Sequence, residues 1–211
     1  MAIEGLYVAF ADIPAPTTVD HCDCCMSADD VDALLVWPDV HTVPAELLRT
    51  YAWNLLCGTV GSPEDAHHFA PRLLEVALDP GAWPDLDTVC RTLGHYVTGW
   101  SRAQRDALDG FARALWRDRL TSDPSTSAGV AHDLLRTLSH LTYVAPLLDL
   151  WTDLVAEPHP AAHLQVLIFW RWFDPETVAT WLCSDRLLDA VRATGDPLLL
   201  EALLEERARQ Q

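Results

Sequence analysis
The chain has 211 residues, half of them hydrophobic, and a formal net charge of −17. That length suffices for a buried core in one domain or one continuous helical array. The charge speaks against nucleic acid, whose phosphates it would repel, and against anionic membrane surfaces. All fourteen basic side chains are arginine, and none precedes Arg49. An N-terminus without a basic region ahead of its apolar residues argues against a secretory signal, and no apolar run reaches a membrane span, so a cytoplasmic protein is expected.

Residues 2–11 are apolar enough for a short helix or strand, through Leu6, Tyr7, Val8 and Phe10, and Ile13-Pro14-Ala15-Pro16 stops it. The run His21-Cys22-Asp23-Cys24-Cys25 follows. Ser27 with Asp30 then reads as a helix cap, with Val31, Leu34 and Leu35 as the buried stripe. Pro44 opens a helix to about Cys57, which Gly58 and Gly61 end.

Ser62-Pro63-Glu64-Asp65 combines a cap, a proline at the first position and carboxylates at the positive end of the dipole. It predicts a helix to about Leu78 that buries Phe69, Leu73 and Val76 or Ala77. Its other face carries His68, Arg72, Glu75 and Asp79, a solvated or salt-bridged surface with Arg72 beside Glu75.

Further helices are predicted at 86–98, 102–120 (with Ser101 and Gln104 as a capping box), 128–140, 144–156, 160–173, 175–193 and 197–209. Asp123-Pro124-Ser125-Thr126-Ser127 is the most linker-like loop. Phe169, Trp172 and Phe173 would form a core stripe, and Cys57, Cys90 and Cys183 lie among apolar helical residues as packing groups.

No stretch alternates with period two between turn signals, so the fold class is all-α. Helix starts recur at about 40 residues, the range of stacked antiparallel pairs in a HEAT-like superhelix, with an irregular helical bundle as the alternative. The expected organisation is a single domain over 1–211, with an acidic, cysteine-containing lobe at 1–43 and a helical array at 44–211.

The chemistry concentrates in the cysteine run. His21, Cys22, Cys24 and Cys25 offer the soft sulfur and nitrogen ligands that zinc prefers, and the surrounding carboxylates favour a divalent cation. Against this, zinc sites usually draw a second ligand pair from elsewhere, and only His41 or the His67-His68 doublet is at hand. The same run contains a C-x-x-C ahead of a helix. A redox or nucleophilic thiol is nonetheless disfavoured, because the βαβ setting is missing and neighbouring carboxylates oppose thiolate formation. A loop whose sulfurs pack under the first helices is the remaining reading.

Residues 1–48 carry nine Asp or Glu and no Arg. Nothing resembles a phosphate-binding glycine loop, a nucleophile elbow, a zinc-protease helix or an EF-hand. The leading expectation is therefore a non-enzymatic protein-binding module, immunity- or antitoxin-like. Its acidic surface (Asp20, Asp23, Asp29 and Asp30, with His68 and Arg72 on the nearby helix) would dock a basic protein partner. A zinc-binding protein, structural or catalytic, with its metal on the His21–Cys25 loop, is the alternative.

Two segments carry a resemblance. The C-x-C-C loop, followed about forty residues on by Gly58-Thr59-Val60-Gly61-Ser62-Pro63-Glu64-Asp65-Ala66-His67-His68-Phe69-Ala70-Pro71-Arg72-Leu73-Leu74-Glu75, is similar to a family of uncharacterised bacterial proteins. Their pattern is a cysteine-rich loop, a helix ending in a Thr-x-Gly turn, and a helix of the type Asp-Phe-Arg-His-Phe-Leu-Pro-Arg-Leu-Leu-Glu. Here Ala66, His67 and Ala70 replace the first aromatic, the first arginine and the leucine. The resemblance covers about residues 20–78. It implies that the cysteines and Phe69-x-Pro71-Arg72 form one structural unit, with no activity to carry over.

Overall fold
A computed structural model describes residues 2–124, 130–170 and 176–210. Among them are twelve α-helices and no strand, the all-α class that the periodicity demands. The chain forms two compact units, residues 1–111 and 112–211.

The first unit contains α1 (Ala2–Phe10), α2 (Ala28–Leu35), α3 (Ala45–Leu56), α4 (Pro63–Ala77), α5 (Leu86–Gly94) and the first half of α6 (Arg102–Thr121). Each predicted cap forms. Ser27 and Ser62 accept the amides of Asp30 and Asp65, whose carboxylates return to the cap amides. Ser101 and Gln104 close a third box. The segment predicted over 86–98 is shorter: α5 ends at Gly94, and a 3-10 turn follows at Val97–Gly99.

Helix α4 is in contact with α1, α3 and α5. Ala66, Phe69, Ala70, Leu73 and Leu74 are buried, and Phe69 meets Tyr51 of α3 edge-on at 5.1 Å. The helix runs through Pro71 without interruption. His67 does not face solvent: it stacks on Trp100 at 5.2 Å, and Phe10 sets its edge against both rings. His68 is also drawn inward, with Nδ1 3.3 Å from the Ile13 carbonyl. Burial lowers its pKa, an effect partly opposed by that contact and by Asp65.

A polar clamp ties α1 to α4. The Tyr7 hydroxyl donates to Glu75 at 2.5 Å, Arg72 pairs with the same carboxylate, and Arg72 Nε donates to the Val43 carbonyl at 3.2 Å. His41 lies flat on the Tyr7 ring. Burial opposes ionisation of Glu75, but the hydrogen bonds from Tyr7 and Arg72 and the arginine's charge outweigh it and lower the pKa. The expected Arg72–Glu75 pair therefore exists, as a half-buried joint rather than a solvated face.

The second unit contains the rest of α6, then α7 (Val130–Leu138), α8 (Ala145–Leu154), α9 (Pro158–Trp170), α10 (Glu176–Leu182), α11 (Asp185–Thr194) and α12 (Pro197–Arg209). Three tryptophans organise its core. Trp116 meets Trp151 edge-on at 5.3 Å, and Trp151 lies 5.2 Å from Trp181. Their indole N–H groups donate to Leu147 O, Pro160 O and Thr152 Oγ1 respectively, so the rings are buried without an orphaned donor.

Three further expectations are corrected. The helix predicted over 175–193 is two helices, because the Ser184 hydroxyl accepts the Leu187 amide and starts α11 anew. Phe169 is 77% exposed, so it is no core residue; Trp172, Phe173 and residues 125–129 lie outside the described residues. Of the three cysteines assigned to packing, Cys90 is buried, Cys183 is half-buried and Cys57 is exposed, since Cys57 caps the end of α3 instead of lying within it.

Candidate metal centre
The cysteine run lies between α1 and α2, where Pro14 and Pro16 keep the chain out of a helix. Two apolar residues anchor it: Val19 is 3% exposed and Met26 2%. The residues between them turn outward. The turn closes on itself, with the Cys25 and Met26 amides donating to the Cys22 carbonyl at 2.8 and 3.0 Å.

Two long-range bonds fix the turn to the helices behind it. The Gly61 amide donates to the Asp20 carbonyl at 2.7 Å, and the buried Asn54 side chain of α3 donates to the Cys25 carbonyl at 3.0 Å. Gly61 has φ +82°, and a Cβ there would lie 2.8 Å from the buried Tyr51 hydroxyl. The Thr-x-Gly turn before α4 is thus part of the cysteine loop's seat, and both segments of the resemblance fall in one unit.

The turn brings three sulfurs together. Cys22 Sγ lies 2.8 Å from Cys24 Sγ, Cys24 Sγ lies 3.6 Å from Cys25 Sγ, and all three fall within 4.8 Å of one another. Cys22 and Cys24 are exposed and Cys25 is half-buried, so the sulfurs do not pack under the first helices as one reading expected. Among the described residues no fourth ligand atom joins this group. His21, expected alongside them, stands beside the cluster: Nδ1 is 3.1 Å from the Val19 carbonyl and Nε2 is 3.4 Å from Asp23 Oδ1.

The thiols share their protons unequally. The hydrogen bond from Cys24 lowers the Cys22 pKa, while Cys24, donating to its sulfur neighbours and feeling their charge, is pushed up to about 11. Cys22 therefore ionises before Cys24, and an incoming cation would displace the proton held between these two sulfurs.

Asp20, Asp23, Asp29 and Asp30 are all exposed around the loop and the start of α2. Asp30 also completes the α2 cap. His68 and Arg72 are occupied by Ile13, Val43 and Glu75, so their polar atoms serve the unit's own packing. Asn54 and Gly61 were not singled out in the sequence as site residues. A lone amide between Trp53 and Leu55, and a second glycine after the helix had already ended, were the available signals.

The chain matches no family model, no curated protein and no solved structure. Among the described residues no helix is long and apolar enough to cross a membrane.

Proposed function
We propose that the N-terminal unit is a metal-binding module holding one zinc ion on Cys22, Cys24 and Cys25. The observation that carries this reading is the convergence of three sulfurs on a turn seated by Val19, Met26, Asn54 and Gly61. Thiolates are zinc's preferred anionic ligands, and three of them with a fourth position free satisfy its tetrahedral habit. The cation offsets both the thiolate charge and the nearby carboxylates, and its binding releases the sulfur-bound protons.

Protein purified under reducing conditions without a histidine tag is expected to carry about one zinc per chain by elemental analysis. Cys22→Ser/Cys25→Ser is expected to carry none while keeping the helical circular dichroism of the parent. A parent that binds no zinc when reduced, or a double variant that retains it, ends the proposal.

A second reading is supported by the four exposed aspartates on the same turn and helix: non-enzymatic docking of a basic protein, as an immunity- or antitoxin-like factor would do. Reversing Asp20, Asp23 and Asp29 to lysine should then weaken capture of such a partner at low salt, and equal capture would rule it out.

A further inference from the structure
An ion held by three sulfurs on an exposed turn has one side open. We infer that this fourth position is reserved for a thiolate from outside the chain, borne on a cationic segment of a partner protein. The inference rests on the metal-binding reading above and names the partner chemistry of that site.

Structural zinc sites are closed, with four protein ligands. Here the described residues converge three. The imidazole nearest in sequence is engaged elsewhere, His21 making its contacts with the Val19 carbonyl and Asp23. Cys90, on α5, is fully buried and does not reach solvent. With Cys22 and Cys24 exposed, an ion held there would be open to solvent.

Charge selects what enters there. Asp20, Asp23 and Asp29 are exposed beside the sulfurs, and no arginine precedes Arg49. A thiol flanked by carboxylates is repelled, and one flanked by arginine or lysine is drawn in; the effect is screened by salt.

The step is a ligand exchange without electron transfer. The incoming thiol loses its proton to solvent, its sulfur donates an electron pair to zinc, and the zinc-bound water leaves. A chain that makes this exchange holds a cysteine-bearing partner through the ion, and the surrounding carboxylates supply the selectivity.

Cobalt(II) is the probe, added anaerobically to the reduced, untagged full-length chain. The cobalt-loaded protein should show thiolate-to-metal charge-transfer absorption of three thiolates. A short arginine-flanked cysteine peptide should raise that absorption by about one third, saturating near one peptide per chain. The glutamate-flanked counterpart should need about ten times more peptide at low ionic strength, with the gap closing in 1 M salt. Asp20→Asn/Asp23→Asn/Asp29→Asn should narrow the gap at low salt; Asp30 is left in place because it caps α2.

Absorption that does not change with either peptide overturns the inference while the metal reading stands, as when His21 swings in to close the sphere. So does a four-thiolate spectrum before any peptide is added, or loss of cobalt to the peptide. Equal affinity for the two peptides overturns the cationic selectivity. Absence of any charge-transfer band overturns the metal reading itself.

Discussion

Gly61 shows how a residue distant in sequence seats the sulfur turn. Its amide holds the Asp20 carbonyl, and its left-handed φ leaves no room for a side chain beneath Tyr51. Gly61→Ala must strain the backbone and displace a ring that is 0% exposed, so a loss of about 1–3 kcal/mol is expected. Zinc affinity should fall with it, because the loop loses its seat. Denaturant unfolding and competition with a chromophoric chelator measure the two effects; a variant unchanged in both would mean that the turn does not depend on this contact. The cysteines were legible in the sequence because residue type and proximity suffice to mark them. Their seat was not, since the bonds from Gly61 and Asn54 cross some thirty to forty residues of chain. Spacing alone cannot report such bonds.

Among the elements, local chemistry carried most of the information. The caps at Ser27, Ser62 and Ser101 form as their sequences demand, because a cap is decided within four residues. The break between α10 and α11 is not marked in the sequence: the apolar pattern of Trp181 and Leu182 continues into Leu187 and Leu188, and Ser184 lacks the proline that follows Ser62. A side-chain bond adds to the Trp151–Trp181 contact between α8 and α10. Trp181 Nε1 donates to Thr152 Oγ1 at 2.8 Å, and Thr152 in turn donates to Leu148 O at 3.1 Å. Thr152→Val keeps the shape and removes the acceptor, leaving a buried indole N–H without a partner. The expected cost is about 1–3 kcal/mol, read as a lower denaturant midpoint at an unchanged slope; a midpoint within error of the parent would show that Trp181 finds another acceptor.

At the scale of the molecule, acidity and buried histidines set the response to pH. His68 and His163 both have pKa values lowered from 6.5, first by burial. The unfolded chain therefore takes up protons that the folded chain refuses. The stability these groups contribute is fully present above about pH 6.5 and is lost as pH falls through their depressed folded values. Glu75 adds a loss of the same sign at lower pH. Buried Asp65, whose pKa is raised, works in the opposite direction, favouring the fold once protonated. Thermal unfolding from pH 7.5 to 5.5, in salt sufficient to screen the net charge of −17, should show a falling midpoint. The fall should be shallower in His68→Gln, and a parent midpoint that rises on acidification would contradict the assignment.

Both units are helical, as the missing two-residue alternation required, but the boundary between Phe111 and Ala112 falls inside α6, where composition does not change. The charge is unequal between them: residues 1–111 hold 17 Asp or Glu against five Arg, and residues 112–211 hold 14 against nine. The more acidic unit is the one that bears the sulfur cluster, where a cation offsets the most charge.

X-ray absorption at the zinc edge of the loaded, reduced chain tests the sulfur site most directly. The account predicts about three sulfur neighbours near 2.3 Å and one lighter atom, with the sulfur signal lost in Cys22→Ser/Cys25→Ser. A coordination sphere made of oxygen and nitrogen alone, or unchanged in that variant, would contradict it.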